Sequence, residues 1–398
     1  MKALELYRSV PRYVASRVVG RRVPGAIAGP LAPLRLVDRN APRPDRPGWG
    51  RVRPRLSGIC GSDLATIAGR SSLYFSPLIS LPFVPGHEVV GELLDEVEDI
   101  PAGTRVVLDP LLNCDARGVR ACAACAAGER NRCARITVGH LSPGLQTGFC
   151  ADTGGGWSHE FVAHRSQLYP VPDGLPDERA VLVEPLACAA HVALRAGVTS
   201  TQRVLVVGAG SVGLLTLLAL KELTAAAEII VVAKHRRQAE LARAFGATEV
   251  VAPARSMNAV RRATRALRLD PERGRSFLLG GVDVAIDCVG SASSLDTALR
   301  TTRAGGRVVL AGMPAAGTDL APAWFRELEV VGAYASSTEQ VNGQQMATFE
   351  LALQMAGDAP LDGLVASPYP LPRWRQAIDH ALDAGRLGTV KVVFDVTQ

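Results

Sequence analysis

Between residues 188 and 336 the chain alternates short unbroken apolar runs with longer stretches of mixed polarity. The runs at 203–207, 228–233, 249–251, 282–287, 307–311 and 328–332 predict strands, and the continuous apolar character of 204–207 is that of a strand buried on both faces. The segments between them predict helices, for example at 214–220 and 238–245. Six strands separated by helical crossovers imply an α/β fold built on a doubly wound parallel sheet. Before residue 188 the pattern is shorter and more strand-like. Residues 34–38, 51–60 and 160–163 predict strands, and the proline-rich 41–50 predicts a connection. Beyond 336 the pattern predicts a helix at 374–384 and a closing strand at 387–393. The expected organisation is a first domain over 1–187, a sheet domain over 188–336, and a return of 337–398 to the first domain. Residues 1–33 give no clear signal.

The strand at 203–207 runs into Gly208-Ala209-Gly210-Ser211-Val212-Gly213 and then into an apolar helix. G-x-G-x-x-G alone is a weak signal, but between a buried strand and a helix it is the context that binds a dinucleotide. The first glycine permits the tight turn, the second lets the backbone approach a pyrophosphate, and the third packs helix on strand. The helix N-terminus offers free N–H groups to the phosphates. The alternative is a glycine-rich turn with no ligand. About 20 residues further on, an acid holds the ribose 2′-OH in NAD enzymes. Here that position falls on Ala233, followed by Lys234, His235, Arg236 and Arg237. These cations suit a 2′-phosphate, which arginine binds through paired hydrogen bonds, so NADP(H) is expected over NAD(H). The alternative is a solvated basic helix start. The candidate cofactor-binding residues are Gly208, Gly210, Ser211, Val212, Gly213, Ala233, Lys234, His235 and Arg236.

The 398 residues suffice for two domains with proper cores, and 47% hydrophobic with 21% charged residues is an ordinary globular balance. The net charge of +6 is carried almost wholly by arginine. The arginines are scattered, with clusters only at Arg21–Arg22, Lys234–Arg237 and Arg261–Arg275. None is interleaved with aromatics as a base-stacking surface would be, so no nucleic-acid partner is expected. No apolar stretch is long enough for a membrane span, and the charged N-terminus does not have the form of a signal peptide. A cytoplasmic protein is expected. In that setting the eight cysteines point to metal ligation before disulfides.

Three short motifs offer the donors of an open zinc site. These are Gly58-Ile59-Cys60-Gly61-Ser62-Asp63, Pro85-Gly86-His87-Glu88 and Val183-Glu184-Pro185-Leu186. Catalytic zinc takes three such protein ligands and keeps a fourth position for water or substrate. Each donor also has an ordinary alternative: a small buried thiol, a hydrogen-bonded core histidine, a helix N-terminal carboxylate. A second candidate is Cys114-x7-Cys122-x2-Cys125-x7-Cys133, whose four thiolates suit a closed structural zinc site. Tyr74, Phe75, Leu78 and Ile79 form an apolar cluster, either core or the wall of a substrate pocket. Trp157 follows three glycines, and core is its ordinary reading.

In their order and residues, the Cys60, His87, Glu184 and Gly208–Gly213 motifs resemble the zinc-dependent medium-chain dehydrogenases/reductases, from about residue 50 to the C-terminus. The polyol and threonine dehydrogenase-like branch is most similar, because the third zinc position is Glu184 rather than cysteine. The resemblance implies a Rossmann domain and a mainly β, GroES-like catalytic domain. It implies that Cys60, His87 and Glu184 hold the catalytic zinc, that Glu88 lies beside the metal, and that Asp63 orients the His87 ring. Ser62 would take the alcohol proton; its alternative is a turn-stabilising serine. Many members carry a histidine at the position of Ala65 to pass that proton onward, and alanine cannot. The resemblance also implies a place for Trp157 at the border of the substrate cavity. The family's structural site is C-x2-C-x2-C-x7-C, whose first cysteine falls here on Val119. Cys114 would replace it only if the 115–121 segment loops out. The resemblance further implies a homodimer or homotetramer pairing the 328–332 strand.

These features together predict a zinc- and NADP-dependent alcohol dehydrogenase or carbonyl reductase acting on a small alcohol or carbonyl substrate. One rival is a zinc-independent NADPH reductase of C=C or C=N bonds on the same fold. The other is a non-catalytic NADPH-binding protein, against which the open metal set argues.

Overall fold

The computed structural model describes residues 1–20, 23–29, 31–366 and 368–398; the Arg21–Arg22 pair lies outside them. The chain forms two compact units. One comprises Met1–Glu184, Ser336–Thr338 and Phe349–Gln398; the other comprises Pro185–Ala335 and Glu339–Thr348. Among the described residues no helix is long and apolar enough to cross a membrane.

The second unit carries a six-stranded sheet in the order Glu249–Val251, Glu228–Val232, Arg203–Val207, Val282–Asp287, Thr302–Leu310, Glu329–Gly332. Every pairing in it is parallel. Its strands are continuous apolar runs because helices cover both faces, so no polar face is needed. The order reverses between Arg203–Val207 and Val282–Asp287, and Gly208 and Cys288 follow these two strands directly. In open α/β sheets that reversal is where ligands bind.

The first unit is built on a seven-stranded sheet centred on the long strand Trp49–Gly58, which pairs with Val89–Leu93, Phe161–His164 and Val393–Asp395. Pro54 has no N–H to give to the ladder, and the register with Val89–Leu93 shifts between Pro54 and Leu56. The described residues of 1–33, silent in sequence, form identifiable elements. Lys2–Leu6 pairs antiparallel with Leu34–Asp38, and between them lie the helix Val10–Val19 and the short turn of helix Pro24–Ala28. Ile27 from this insertion is buried in one core with Ile59, Ile67, Phe83, Trp374 and Phe394.

The expected closing strand at 387–393 is a correction. The helix runs over Trp374–Leu387 and ends on Gly388, whose φ of +78° is the left-handed cap glycine favours; the strand is only Val393–Asp395.

Candidate active site

The strand Trp49–Gly58 delivers Cys60 to the N-cap of the helix Gly61–Ile67. Asp63, in the first turn, accepts the Cys60 N–H on Oδ2 at 3.0 Å, which fixes the turn. His87 and Glu88 lead into Val89–Leu93, the antiparallel neighbour of that strand, and the Gly58 N–H donates to the Glu88 carbonyl at 2.8 Å. Sheet pairing therefore brings two sequence-distant motifs to one spot. Cys60, His87 and Glu88 offer ligand atoms that all lie within 4.8 Å of one another. Ser62 Oγ is 3.5 Å from His87 Nε2, and Asp63 Oδ1 is 3.5 Å from His87 Nδ1. Those last two atoms are buried and make no hydrogen bond, a gap that slight closure would convert to Nδ1–H donating to the carboxylate.

Burial pulls the His87 pKa down, but the charge of Asp63 and the polar contacts of the ring with Asp63 and Cys60 outweigh it, so the pKa is raised well above the usual histidine value. The surroundings thus favour a positive centre here, which a divalent cation on thiolate, imidazole and carboxylate donors satisfies.

Glu88 has a partner that sequence reasoning missed. Lys391 Nζ lies 2.6 Å from both of its carboxylate oxygens, and the two side chains are 3% and 1% exposed. Burial opposes the Lys391 charge, yet Glu88 and, more weakly, Cys60 and Glu184 hold its pKa above the ordinary lysine value. Glu184 is buried in the first turn of the helix Val183–Ala196. It stands outside the Cys60–His87–Glu88 group, where Glu88 is the carboxylate gathered in.

The apolar candidates do not behave alike. Trp157 is fully buried, donates Nε1–H to the Gly58 carbonyl at 3.2 Å and packs on Phe394, so it is core. Tyr74 is 76% exposed on the short helical turn Leu73–Leu78 and belongs to no core. The aromatic ring beside the metal donors is Phe149, half-buried, with its centroid 5.7 Å from that of His87. Nothing in the spacing of the sequence marks it.

Cys114, Cys122, Cys125 and Cys133 also place their sulfurs within 4.8 Å of one another. Cys114 Sγ is 3.6 Å from Cys133 Sγ and accepts the Cys122 N–H at 3.3 Å. Backbone N–H groups of Cys125 and Ala134 bring the Cys122 thiol down to about 6. Residues 115–121 fold into a turn in which the Val119 N–H donates to the Cys114 carbonyl at 3.0 Å, and Cys114 lies with the other three cysteines.

In the second unit the Gly208 φ is +101°, a conformation that admits glycine. A Cβ on Gly213 would lie 2.0 Å from the Gly208 carbonyl oxygen, whereas one on Gly210 would meet nothing within 4 Å. Turn, open approach and packing contact thus fall on Gly208, Gly210 and Gly213, the order the fingerprint requires. Ser211 and Val212 open the helix Ser211–Leu223. Ala233, Lys234, His235, Arg236, Arg243 and Arg255 line a cavity of about 330 Å³ at the end of Glu228–Val232. Arg236 pairs with Glu240 at 2.8 Å, while the side chains of Lys234, Arg243 and Arg255 have no ion-pair partner among the described residues. Cys288 is structural: burial pushes its thiol up to about 12, and it faces Thr216.

Residues 46–173 match the alcohol dehydrogenase GroES-like domain, and residues 211–350 match the zinc-binding dehydrogenase family. The chain is 32% identical over 291 residues to L-idonate 5-dehydrogenase of Vitis vinifera, covering 71% of this chain and 72% of that one. It is 30% identical over 289 residues to sorbitol dehydrogenase of Arabidopsis thaliana, covering 71% and 73%. A structure described as a zinc-binding dehydrogenase of Sinorhizobium meliloti bound to NADP shares the fold, with a TM-score of 0.71, 24% identity and coverage of 99% and 98%. Alcohol dehydrogenase from Thermus sp. ATN1 shares it with a TM-score of 0.70, 24% identity and full coverage of both chains. The chain belongs to the zinc-dependent medium-chain dehydrogenase family, whose members are hydride-transferring oxidoreductases.

Proposed function

We propose that this protein is an NADP(H)-dependent zinc alcohol dehydrogenase or carbonyl reductase whose chemistry is centred on Cys60, His87 and Glu88. The observation that carries the reading is the gathering of thiol, imidazole and carboxylate within 4.8 Å at the end of two paired strands, with the Ser62 hydroxyl beside them. Zinc held by Cys60 and His87, with Glu88 or Glu184 as the carboxylate, would act as a Lewis acid toward the substrate oxygen. Asp63 holds the Cys60 turn and orients the imidazole. Ser62 takes the proton of the alcohol, or returns it to the carbonyl oxygen. Ala65 offers no onward acceptor, so a proton leaving Ser62 would need water, a hydroxyl of the bound cofactor or another residue. Lys391 donates to both Glu88 oxygens and fixes the carboxylate at the buried edge of the group. Cys114, Cys122, Cys125 and Cys133 would hold a second, structural zinc: four thiols gathered around one point are a closed tetrahedral donor set. We assign the donor-bearing unit the chemistry and the parallel-sheet unit the cofactor.

NADP(H) is favoured by three features: Ala233 in place of an acid, the cation-lined cavity next to it, and three cations there with no ion-pair partner. The L-idonate and sorbitol dehydrogenases to which the chain is similar act, by their names, on hydroxylated carbon chains. The half-buried Phe149 ring next to His87 supports a secondary alcohol or ketone with an apolar face beside the reacting carbon. A homo-oligomer formed through the Glu329–Gly332 edge is supported by the exposed Trp324, Phe325, Val330 and Tyr334 around it. A reducing compartment, the cytoplasm, suits two thiol-based metal sites.

The test is zinc per chain by elemental analysis, with NADPH-linked turnover of a panel of secondary alcohols and ketones. Two zinc ions per chain, with turnover abolished in Cys60→Ser, is the expected result. Full activity in Cys60→Ser would refute the reading, and tighter binding of NADH than NADPH would refute the cofactor preference.

A further inference from the structure

Arg117 sits in the middle of the seven-residue spacer that separates Cys114 from Cys122, and its side chain is 0% exposed. Its guanidinium donates in five directions: Nε to the Leu112 carbonyl at 3.1 Å, Nη1 to Val138 at 3.2 Å and Leu141 at 3.1 Å, Nη2 to Ser142 at 3.2 Å and Gly144 at 2.8 Å. All five acceptors are neutral backbone oxygens. In return the Arg117 carbonyl accepts from the His140 ring at 3.0 Å. The spacer is therefore laced to the 138–144 return on the far side of Cys133. That lacing folds the extra residues out and leaves Cys114 beside the other three sulfurs.

The charge balance is as informative as the hydrogen bonds. Arginine does not deprotonate in proteins, and a buried charge needs an opposite one. No carboxylate is hydrogen-bonded to Arg117. Burial lowers its pKa, and the groups acting against that are Cys150, Cys133, Asp152 and Cys114. Cys150 is itself a buried thiol pushed up by desolvation. Asp152 is engaged by the Ser142 N–H at 2.5 Å on the exposed side. The Asp152 carboxylate is one counter-charge, and the other anionic group within reach is the cysteine cluster once it is loaded. Four thiolates around a divalent zinc would carry two net negative charges and add to Asp152 in balancing this buried cation.

We propose that Arg117 is a positioning residue for the four-cysteine site: it ties the spacer to the 138–144 return so that Cys114 reaches the cluster, and its buried charge favours the anionic, zinc-loaded tetrathiolate. This rests on the structural-zinc reading above. It makes the x7 spacing a working substitute for the family's x2 spacing, with an arginine as the added part.

The experiment compares Arg117→Lys and Arg117→Met in the full chain. The readout is the rate at which a chelator makes Cys122 and Cys125 alkylatable, measured by peptide mapping, with circular dichroism to verify folding. Methionine is the better apolar filler and lysine the better charge. A packing role alone therefore ranks methionine above lysine, and the proposed role ranks them the other way. The expected result is release at least ~10-fold faster in Arg117→Met than in the parent, with Arg117→Lys in between. Parent-like release in Arg117→Met, or slower release there than in Arg117→Lys, overturns the proposal. If neither variant folds, the parent decides. Stripping its zinc is expected to speed amide exchange in 112–121 and 138–144, and unchanged exchange in both overturns the coupling. A lobe without zinc, shown by equal zinc in the parent and in Cys122→Ser/Cys125→Ser, overturns the zinc reading and this proposal together. Zinc that is present but released at the parent's rate from Arg117→Met overturns the proposal alone.

Discussion

Replacing Lys391 by methionine tests the buried pair at the edge of the site. The lysine closes a contact across 303 positions of sequence, with both Glu88 oxygens at 2.6 Å and almost no solvent. At an effective dielectric of about 20 the gross attraction at that distance is about 6 kcal/mol, set against the desolvation of two charges. The net worth of the pair is thus small, but the cost of breaking it is not. Lys391→Met leaves a carboxylate in a dry site and is expected to cost about 3–5 kcal/mol. Glu88→Gln/Lys391→Met removes both charges and keeps most of the volume, so it is expected to recover about 2–3 kcal/mol of that loss. The assay is urea unfolding followed by tryptophan fluorescence, since Trp49, Trp157 and Trp374 all lie in the unit that holds the pair. Trp157 reports directly through its packing on Phe394, three residues from Lys391. The transition of that unit is fitted separately, because a two-unit chain need not unfold in one step. A Lys391→Met protein within about 1 kcal/mol of the parent, or a double variant no more stable than the single one, would refute the reasoning.

Three further outcomes are expected. Arg243→Gln/Arg255→Gln removes two cations facing the Ala233 cavity, and the dissociation constant for NADPH should rise about 10- to 100-fold while that for NADH stays near the parent's. Phe149→Ala should raise KM about 10-fold for secondary alcohols bearing an aryl group and leave small aliphatic substrates nearly unchanged, read in steady-state kinetics. Burial holds the Asp109 carboxyl up at about 6, so between about pH 4 and pH 6 the native state keeps a proton that the unfolded chain has lost, and stability falls as pH rises through that window. Asp109→Asn should therefore gain on the order of 1–3 kcal/mol over the parent at pH 7.5 and nothing below pH 4, measured by denaturation at both pH values.

The parallel sheet was legible because its strands identify themselves without their neighbours. Residues 204–207, 229–232 and 284–286 are apolar on both faces, and that composition alone marks a doubly covered strand. The strand expected at 387–393 failed because the sequence does not say which φ a glycine will take: Gly388 ends a helix, and only Val393–Asp395 joins the sheet. Tyr74 and Phe149 show the same limit for aromatics. Tyr74, from a cluster of rings in sequence, is exposed, while a single phenylalanine among glycines and polar residues stands against the His87 ring. Lys391 was out of reach for another reason. In a V-K-V context a lysine reads as the solvent side of a strand, and the acid that makes its burial tolerable lies 303 positions away.

The cysteine lobe shows how a departure from a spacing rule becomes intelligible only in three dimensions. A spacing rule is a statement about chain length between two fixed points, and extra chain is harmless where its ends can still meet. Seven residues instead of two separate the first two cysteines, yet the four sulfurs still fall within 4.8 Å. The extra residues need an internal anchor, or Cys114 would wander through the volume a loose loop explores. Arg117 provides it with four hydrogen bonds to the 138–144 segment and a fifth to the Leu112 carbonyl. An arginine with no charged partner would be a poor anchor beside an apolar core, and a good one beside four thiolates. The same reasoning applies to Lys391 beside Glu88. At both candidate metal sites the chain buries a cation close to the donors, Lys391 against Glu88 at 2.6 Å and Arg117 in the spacer after Cys114, and each holds its surroundings in place without occupying a ligand position.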